Sequence, residues 1–299
     1  MDSLRPCHID SSPKEIIDQI IDEVAKLFDD KKARQDFLRK ISVTWKRMTP
    51  RAQDHLFENI TFYGNYGLSE GESLRGFNDW CKDLQEQKLL PVHAAAVKKI
   101  TYFTLESNGA PRPDAMEFLK KFTCVVKFAA EKRSTDRFKN IKPDFMVGNV
   151  LGHQIRFLML GWYELDVNDF VSYYRLFPNL EYLEMFRISI KPGTLQSQTQ
   201  GDLSTLKFRG VLRLNSVRIT GVSYEVIDML TSIPIGMDYS CIILGSGLVK
   251  RGGARDCLRP FLLKSQDTLK YLNISGESIL AHIGCAHYRL GVNCNLILY

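Results

Sequence analysis

The sequence predicts an α/β protein: a short N-terminal unit of three helices, then a curved solenoid of parallel strands and returning helices. Three observations lead there. Apolar residues recur at helical spacing through the first sixty positions. A strand-like signature, apolar-x-x-apolar-x-apolar, then returns at separations of 23 to 32 residues. Several of the intervals carry helical apolar spacing, and alternating strands and helices imply a parallel sheet.

The first helix opens at Ser12-Pro13-Lys14-Glu15, a capping-box pattern with proline at the first helical position. Ile16, Ile17, Ile20, Ile21, Val24, Leu27 and Phe28 then form one apolar face. Asp29 or Asp30 can cap a second helix carrying Ala33, Phe37, Leu38 and Ile41. Trp45 follows, and Thr49-Pro50 starts a third helix toward Leu56 and Phe57. So few short helices bury little surface, so the unit is expected to lean on a partner or on the rest of the chain.

Further on, the strand signature reads Ile100-x-x-Phe103-x-Leu105, Ile155-x-x-Leu158-x-Leu160, Leu180-x-x-Leu183-x-Met185 and Leu269-x-x-Leu272-x-Ile274. Looser copies are Thr123-x-x-Val126-x-Phe128, Tyr239-x-x-Ile242-x-Leu244 and Asn293-x-x-Leu296-x-Leu298, and Leu212 and Leu214 fit with Arg209 in the first slot. Helical returns are expected from Asp166 to Phe177, stopped by Pro178, and from Tyr224 to Leu230, ahead of Ile233-Pro234. Leucine-rich repeats have this strand-plus-return form at about 20–29 residues, and the longer intervals here sit at or just beyond that range. The chain ends at Asn295-Leu296-Ile297-Leu298-Tyr299, inside an expected strand; either the product is truncated or another chain covers that edge.

Two parts of this pattern resemble known families. Ser12-Pro13-Lys14-Glu15-Ile16, Ile20, Val24 and Ile41-Ser42-Val43-Thr44-Trp45 are similar to an F-box, with Ser12 standing where that pattern has leucine. Arg51-Ala52-Gln53-Asp54-His55-Leu56-Phe57-Glu58-Asn59-Ile60 resembles the tail common in fungal F-box-like proteins. With "FPNLEYLEM" and the degenerate repeats, the chain resembles F-box and leucine-rich-repeat proteins of mushroom-forming fungi. The resemblance implies an F-box-like unit at 10–62, a connecting helical segment at 63–96 and a degenerate repeat domain at 97–299. It further implies a substrate-recognition adaptor of an SCF-type ubiquitin ligase, docked on a Skp-type adaptor and cullin complex. Pro13, Ile16, Ile17, Ile20 and Trp45 are the adaptor contacts it implies. The alternative is a stand-alone repeat scaffold with no ubiquitin link.

Strand side chains alternate, so the residues flanking each central slot are expected on the concave face. The preceding column reads Tyr102, Val125, Phe157, Tyr182, Val211, Cys241, Tyr271 and Asn295, half of it aromatic, and Arg213 stands in the following column. Aromatics with arginine are common interface anchors. Tyr102, Phe157, Tyr182, Arg213 and Tyr271 are therefore the expected contacts for an unknown protein substrate.

Composition narrows the function. The 299 residues are 44% hydrophobic and 25% charged, which excludes a disordered or collagen-like chain. No run approaches the ~18 apolar residues of a membrane span. Seven scattered cysteines without a CxxC pair, and no apolar leader, point to the cytoplasm or nucleus. The net charge of +6 is concentrated at 120–142, in Lys120, Lys121, Lys127, Lys132, Arg133, Arg137, Lys139 and Lys142. That stretch reads as a solvated loop; one segment without stacking platforms argues against nucleic acid. No phosphate-loop, dinucleotide, zincin or nucleophile-elbow motif occurs. His282-x-x-Cys285-x-His287 has no zinc spacing, and Glu164, Asp166 and Asp169 read as a helix cap. No enzyme, metal or cofactor is expected.

Overall fold

The computed structural model describes residues 12–63, 74–104, 117–132, 145–190, 214–232, 239–245, 254–265, 267–274 and 295–298. Among these, the chain is mixed α/β with one large parallel sheet. Three helices come first: α1 (Lys14–Lys26), α2 (Lys31–Thr44) and α3 (Thr49–Phe57). Strand β1 (Asn59–Tyr63), helices α4 (Leu74–Glu86) and α5 (Leu90–Ala96), and strands β2 (Lys99–Thr104) and β3 (Lys127–Lys132) follow. Then come α6 (Phe145–Leu151), β4 (Phe157–Gly161), β5 (Glu164–Leu165), α7 (Val167–Tyr174), β6 (Tyr182–Phe186) and β7 (Ser189–Ile190). The last described elements are β8 (Ser216–Thr220), α8 (Tyr224–Ser232), β9 (Cys241–Leu244), α9 (Ala254–Leu263), β10 (Tyr271–Ile274) and β11 (Asn295–Leu298).

The helix ends follow local chemistry. Asp30 caps α2, its carboxylate accepting from the Lys32 and Ala33 amides at 3.2 and 2.9 Å. Asp166 caps α7 through the Asp169 amide at 2.6 Å, the role expected of that carboxylate cluster. Pro50 sits in the first turn of α3. The start of α1 departs from expectation. Pro13 occupies the N-cap itself, no side chain caps that end, and the Ser12 carbonyl accepts instead from Arg47 at 2.9 Å. Proline brings no N–H of its own, so the first turn loses little there.

The sheet has nine strands in the order β1-β2-β3-β4-β6-β8-β9-β10-β11, and every pair is parallel. Ile60, Ile100, Phe128, Leu158, Leu183, Val217, Ile242, Leu272 and Leu296 lie side by side in register. At the start of seven of the strands one carbonyl accepts two amides at the start of the next. Arg156 O takes Glu181 and Tyr182 N–H at 2.9 Å each, and Glu58, Lys98, Val126, Glu181, Asn215 and Ser240 do the same. These bonds fix the register between neighbouring strands.

This register corrects four sequence expectations. The slot of β2 is Ile100, not Phe103; that of β3 is Phe128, not Val126; and that of β8 is Val217, not Leu212. β1, expected only as the end of the helical unit, is a strand of the sheet. Val97, Val125 and Leu214 fill the first apolar slot of their strands and are fully buried. A slip by an odd number of residues turns every side chain to the other face, and β2 and β8 were displaced in that way.

Three neighbouring strands leave the sheet through the same left-handed position. Trp162 (φ 65°), Arg187 (φ 52°) and Gly221 (φ 63°) each stand four residues after the slots Leu158, Leu183 and Val217. Only glycine adopts this conformation without cost; a larger residue loses about 1–2 kcal/mol. Trp162 and Arg187 offset part of that by stacking, the guanidinium carbon lying 4.0 Å from the indole centroid.

Two apolar cores result. The helical unit encloses Ile17, Ile21, Ala25, Leu38, Ile41, Met48 and Ala52. The sheet and its helices share a second core, continuous from Phe77 to Ile274. Among the described residues, no helix is long and apolar enough to cross a membrane.

Candidate functional site

Two surfaces carry the expected contacts. The first is the outer side of the helical unit. Ile17 and Ile21 point inward and are about 1% exposed. Ile16 and Ile20, one turn apart, are each 49% exposed, and Trp45 is 47% exposed. The Arg47–Ser12 hydrogen bond ties the turn after Trp45 to the start of α1, next to exposed Pro13. Pro13, Ile16, Ile20 and Trp45 are thus available for contact, whereas Ile17 belongs to the unit's own core. Val43, at 85%, adds to the exposed apolar surface and was not singled out by sequence.

Behind that surface lies a polar network joining the three helices. Arg51 grips the Asp22 carboxylate with Nε and Nη2 at 2.7 and 2.8 Å. Arg34 Nη2 donates to His55 Nδ1 at 3.2 Å, which leaves the Nε2–H to donate to Asp22 Oδ1 at 2.7 Å. The Arg51 guanidinium, with His55 beside it, holds the Asp22 carboxyl down at about 2. Glu58, within 3.7 Å of Arg34, carries the carbonyl that accepts the Lys98 and Lys99 amides at the start of β2. The aromatic end of α3 continues the join. Phe57 stacks on Trp80 of α4 at 5.8 Å and meets His93 of α5 edge-on at 4.3 Å. His93 is buried, and burial pushes its pKa below the ordinary histidine value. Beside this joint, a cleft of about 250 Å³ is lined by Leu56, Phe57, Ile60, Thr61, Phe77 and Trp80. Sequence reasoning missed it, because the cleft forms only where β1 meets α4.

The second surface is the sheet face opposite the helices. Its leading column runs Asn59, Lys99, Lys127, Phe157, Tyr182, Ser216, Cys241, Tyr271 and Asn295. Phe157, Tyr182 and Tyr271 are therefore on the expected face, partly exposed. Phe157 and Tyr182 stack with centroids 4.3 Å apart and planes 8° from parallel. The Lys127 ammonium lies 5.7 Å from the Phe157 centroid on the opposite side. Tyr102 is a correction: it is 4% exposed and points into the core, because β2 is displaced by three residues from the expected slot. Arg213 lies outside the described residues. The arginine of the following column is Arg218, whose Nε is 3.6 Å from Glu184 and which lies beside the Tyr182 hydroxyl. Burial, with Glu184 nearby, raises the Tyr182 pKa, so it is a neutral donor at physiological pH. Arg218 and Lys99 were legible from Leu214-x-x-Val217-x-Ile219 and Val97-x-x-Ile100-x-Tyr102, which fit the same strand signature.

Among the described residues, no group of His, Cys, Asp or Glu is arranged to hold a metal ion. His282, Cys285 and His287 lie outside them. No known family model matches this chain, and no curated protein is significantly similar to it.

Proposed function

We propose that this chain is the substrate-recognition adaptor of an SCF-type ubiquitin ligase. Its three helices, read as an F-box-like unit, dock on a Skp-type adaptor of the cullin complex. The following strands, read as a curved leucine-rich-repeat-like solenoid, hold a protein substrate on the open sheet face. The transfer chemistry belongs to other subunits, and this chain supplies none. One observation carries the reading. Ile16, Ile20 and Trp45, the positions that the F-box resemblance assigns to the adaptor, are large apolar side chains left about half exposed. Large apolar side chains left this exposed are typical of a surface that a partner covers when they lie together.

The test uses the full chain, because Phe57 is seated between Trp80 and His93 and the helical unit is not independent of the sheet. Mixed with a purified Skp adaptor, the chain should co-elute on gel filtration. Ile16→Asp with Ile20→Asp should abolish the complex. Leu27→Asp, at the apolar C-cap of α1, which is even more exposed, should not. A folded chain that binds no Skp adaptor would contradict the reading. The Phe57 joint favours a second reading in that event, in which the helices are a fixed cap on a stand-alone interaction scaffold.

A further inference from the structure

We infer that the open sheet face recognises an extended acidic peptide in which a carboxylate lies close to a large apolar side chain. The inference rests on the reading of that face as the substrate surface and names the chemistry it would select. Lys99 and Lys127 are register partners on adjacent strands, so two like charges stand about 4.8 Å apart at the backbone. Directly opposed like charges destabilise a sheet unless something compensates them. Neither lysine makes an ion pair among the described residues. The carboxylates nearby are engaged: Glu58 with Arg34, Glu181 with Arg156, and Glu184 with Arg218. Lys98, exposed one position before β2, extends the positive region.

The next two strands continue the same column with Phe157 and Tyr182. Lys127 and Tyr182 occupy the two faces of Phe157, so Phe157 offers its edge. A nucleobase needs a free ring face to stack on, whereas an aliphatic or aromatic side chain packs against edges. From Lys99 to Tyr182 the column crosses three strand intervals, about 14 Å. An extended peptide covers that in about four residues. The fitting sequence therefore places Asp or Glu within about four positions of a large apolar residue.

The full chain is panned against a random dodecapeptide phage library, and the selected peptides are titrated by fluorescence anisotropy. Enriched peptides should carry the acidic–apolar spacing above. Lys99→Glu with Lys127→Glu should weaken them at least about tenfold, and Lys99→Gln with Lys127→Gln should weaken them less. Lys40→Glu with Lys82→Glu, which changes net charge equally at exposed sites elsewhere, should leave binding within about twofold. Peptides lost on Tyr182→Ala but indifferent to both lysines would overturn the acidic chemistry and leave the surface reading standing. Peptides indifferent to Tyr182→Ala and Phe157→Ala as well, or no selected peptide at all, would overturn both. A twenty-nucleotide single strand that displaces the peptides through Lys99 and Lys127 would assign the surface to nucleic acid and overturn the inference.

Discussion

The three N-terminal helices enclose seven buried apolar side chains, whereas the sheet and its helices share one core that runs from Phe77 to Ile274. The helical unit compensates with charge. Asp22, Arg51, His55 and Arg34 tie α1, α2 and α3 together where apolar area is short. The sheet needs no such device, because the strands between its two ends are held on both sides by parallel neighbours and seven strands open on a bifurcated carbonyl. The sheet should fail by loss of packing and the helices by loss of charge. Phe57, packed on Trp80 and His93, is where one failure reaches the other.

The largest effect should come from the sheet core. Leu158 is fully buried in β4, and Leu158→Ala should cost about 2–5 kcal/mol. Urea unfolding followed by the three tryptophans checks this by region, since Trp45 reports the helical unit, Trp80 the joint and Trp162 the sheet. A loss seen by Trp162 and Trp80 together would support one continuous core.

Asp22→Asn should be smaller, about 1 kcal/mol at neutral pH after solvent screening, and confined to the helical unit. The Asp22 pKa is lowered to about 2 from an unfolded value of about 3.9. Its contribution is therefore complete above about pH 4 and is lost as pH falls toward 2. Acid titration of the wild-type chain should show that loss in the Trp45 signal, and the variant should not.

The smallest effect should appear at the joint. His93 has a pKa below its unfolded value because it is buried, so the folded state binds fewer protons. Stability should then fall as pH drops below about 6.5, the unfolded value. His93→Leu should flatten the pH dependence of the Trp80 transition between pH 7 and 5. A dependence left intact would move its origin away from this ring.

Much of this division was legible in the sequence. Asp30, Asp166 and Pro50 announced helix starts, and Leu158, Leu183, Ile242, Leu272 and Leu296 announced strands, because capping and alternation are local properties. The register of β2 and β8 was not, since Phe103 and Leu212 also satisfied a degenerate apolar pattern. Only pairing with the adjacent strand decides between competing matches, and it turned Tyr102 inward and brought Arg218 outward. The Phe57–Trp80–His93 joint was illegible for a related reason: its three rings come from separate helices.

In the function proposed above, the exposed apolar residues of α1 and the Trp45 turn receive a Skp adaptor. Hydrogen exchange of the full chain with and without that adaptor tests it most directly. Added protection is expected within residues 14–24 and 43–48, with exchange across β4, β6 and the Phe57 joint unchanged. No added protection in those two segments, or protection confined to the sheet strands, would contradict it.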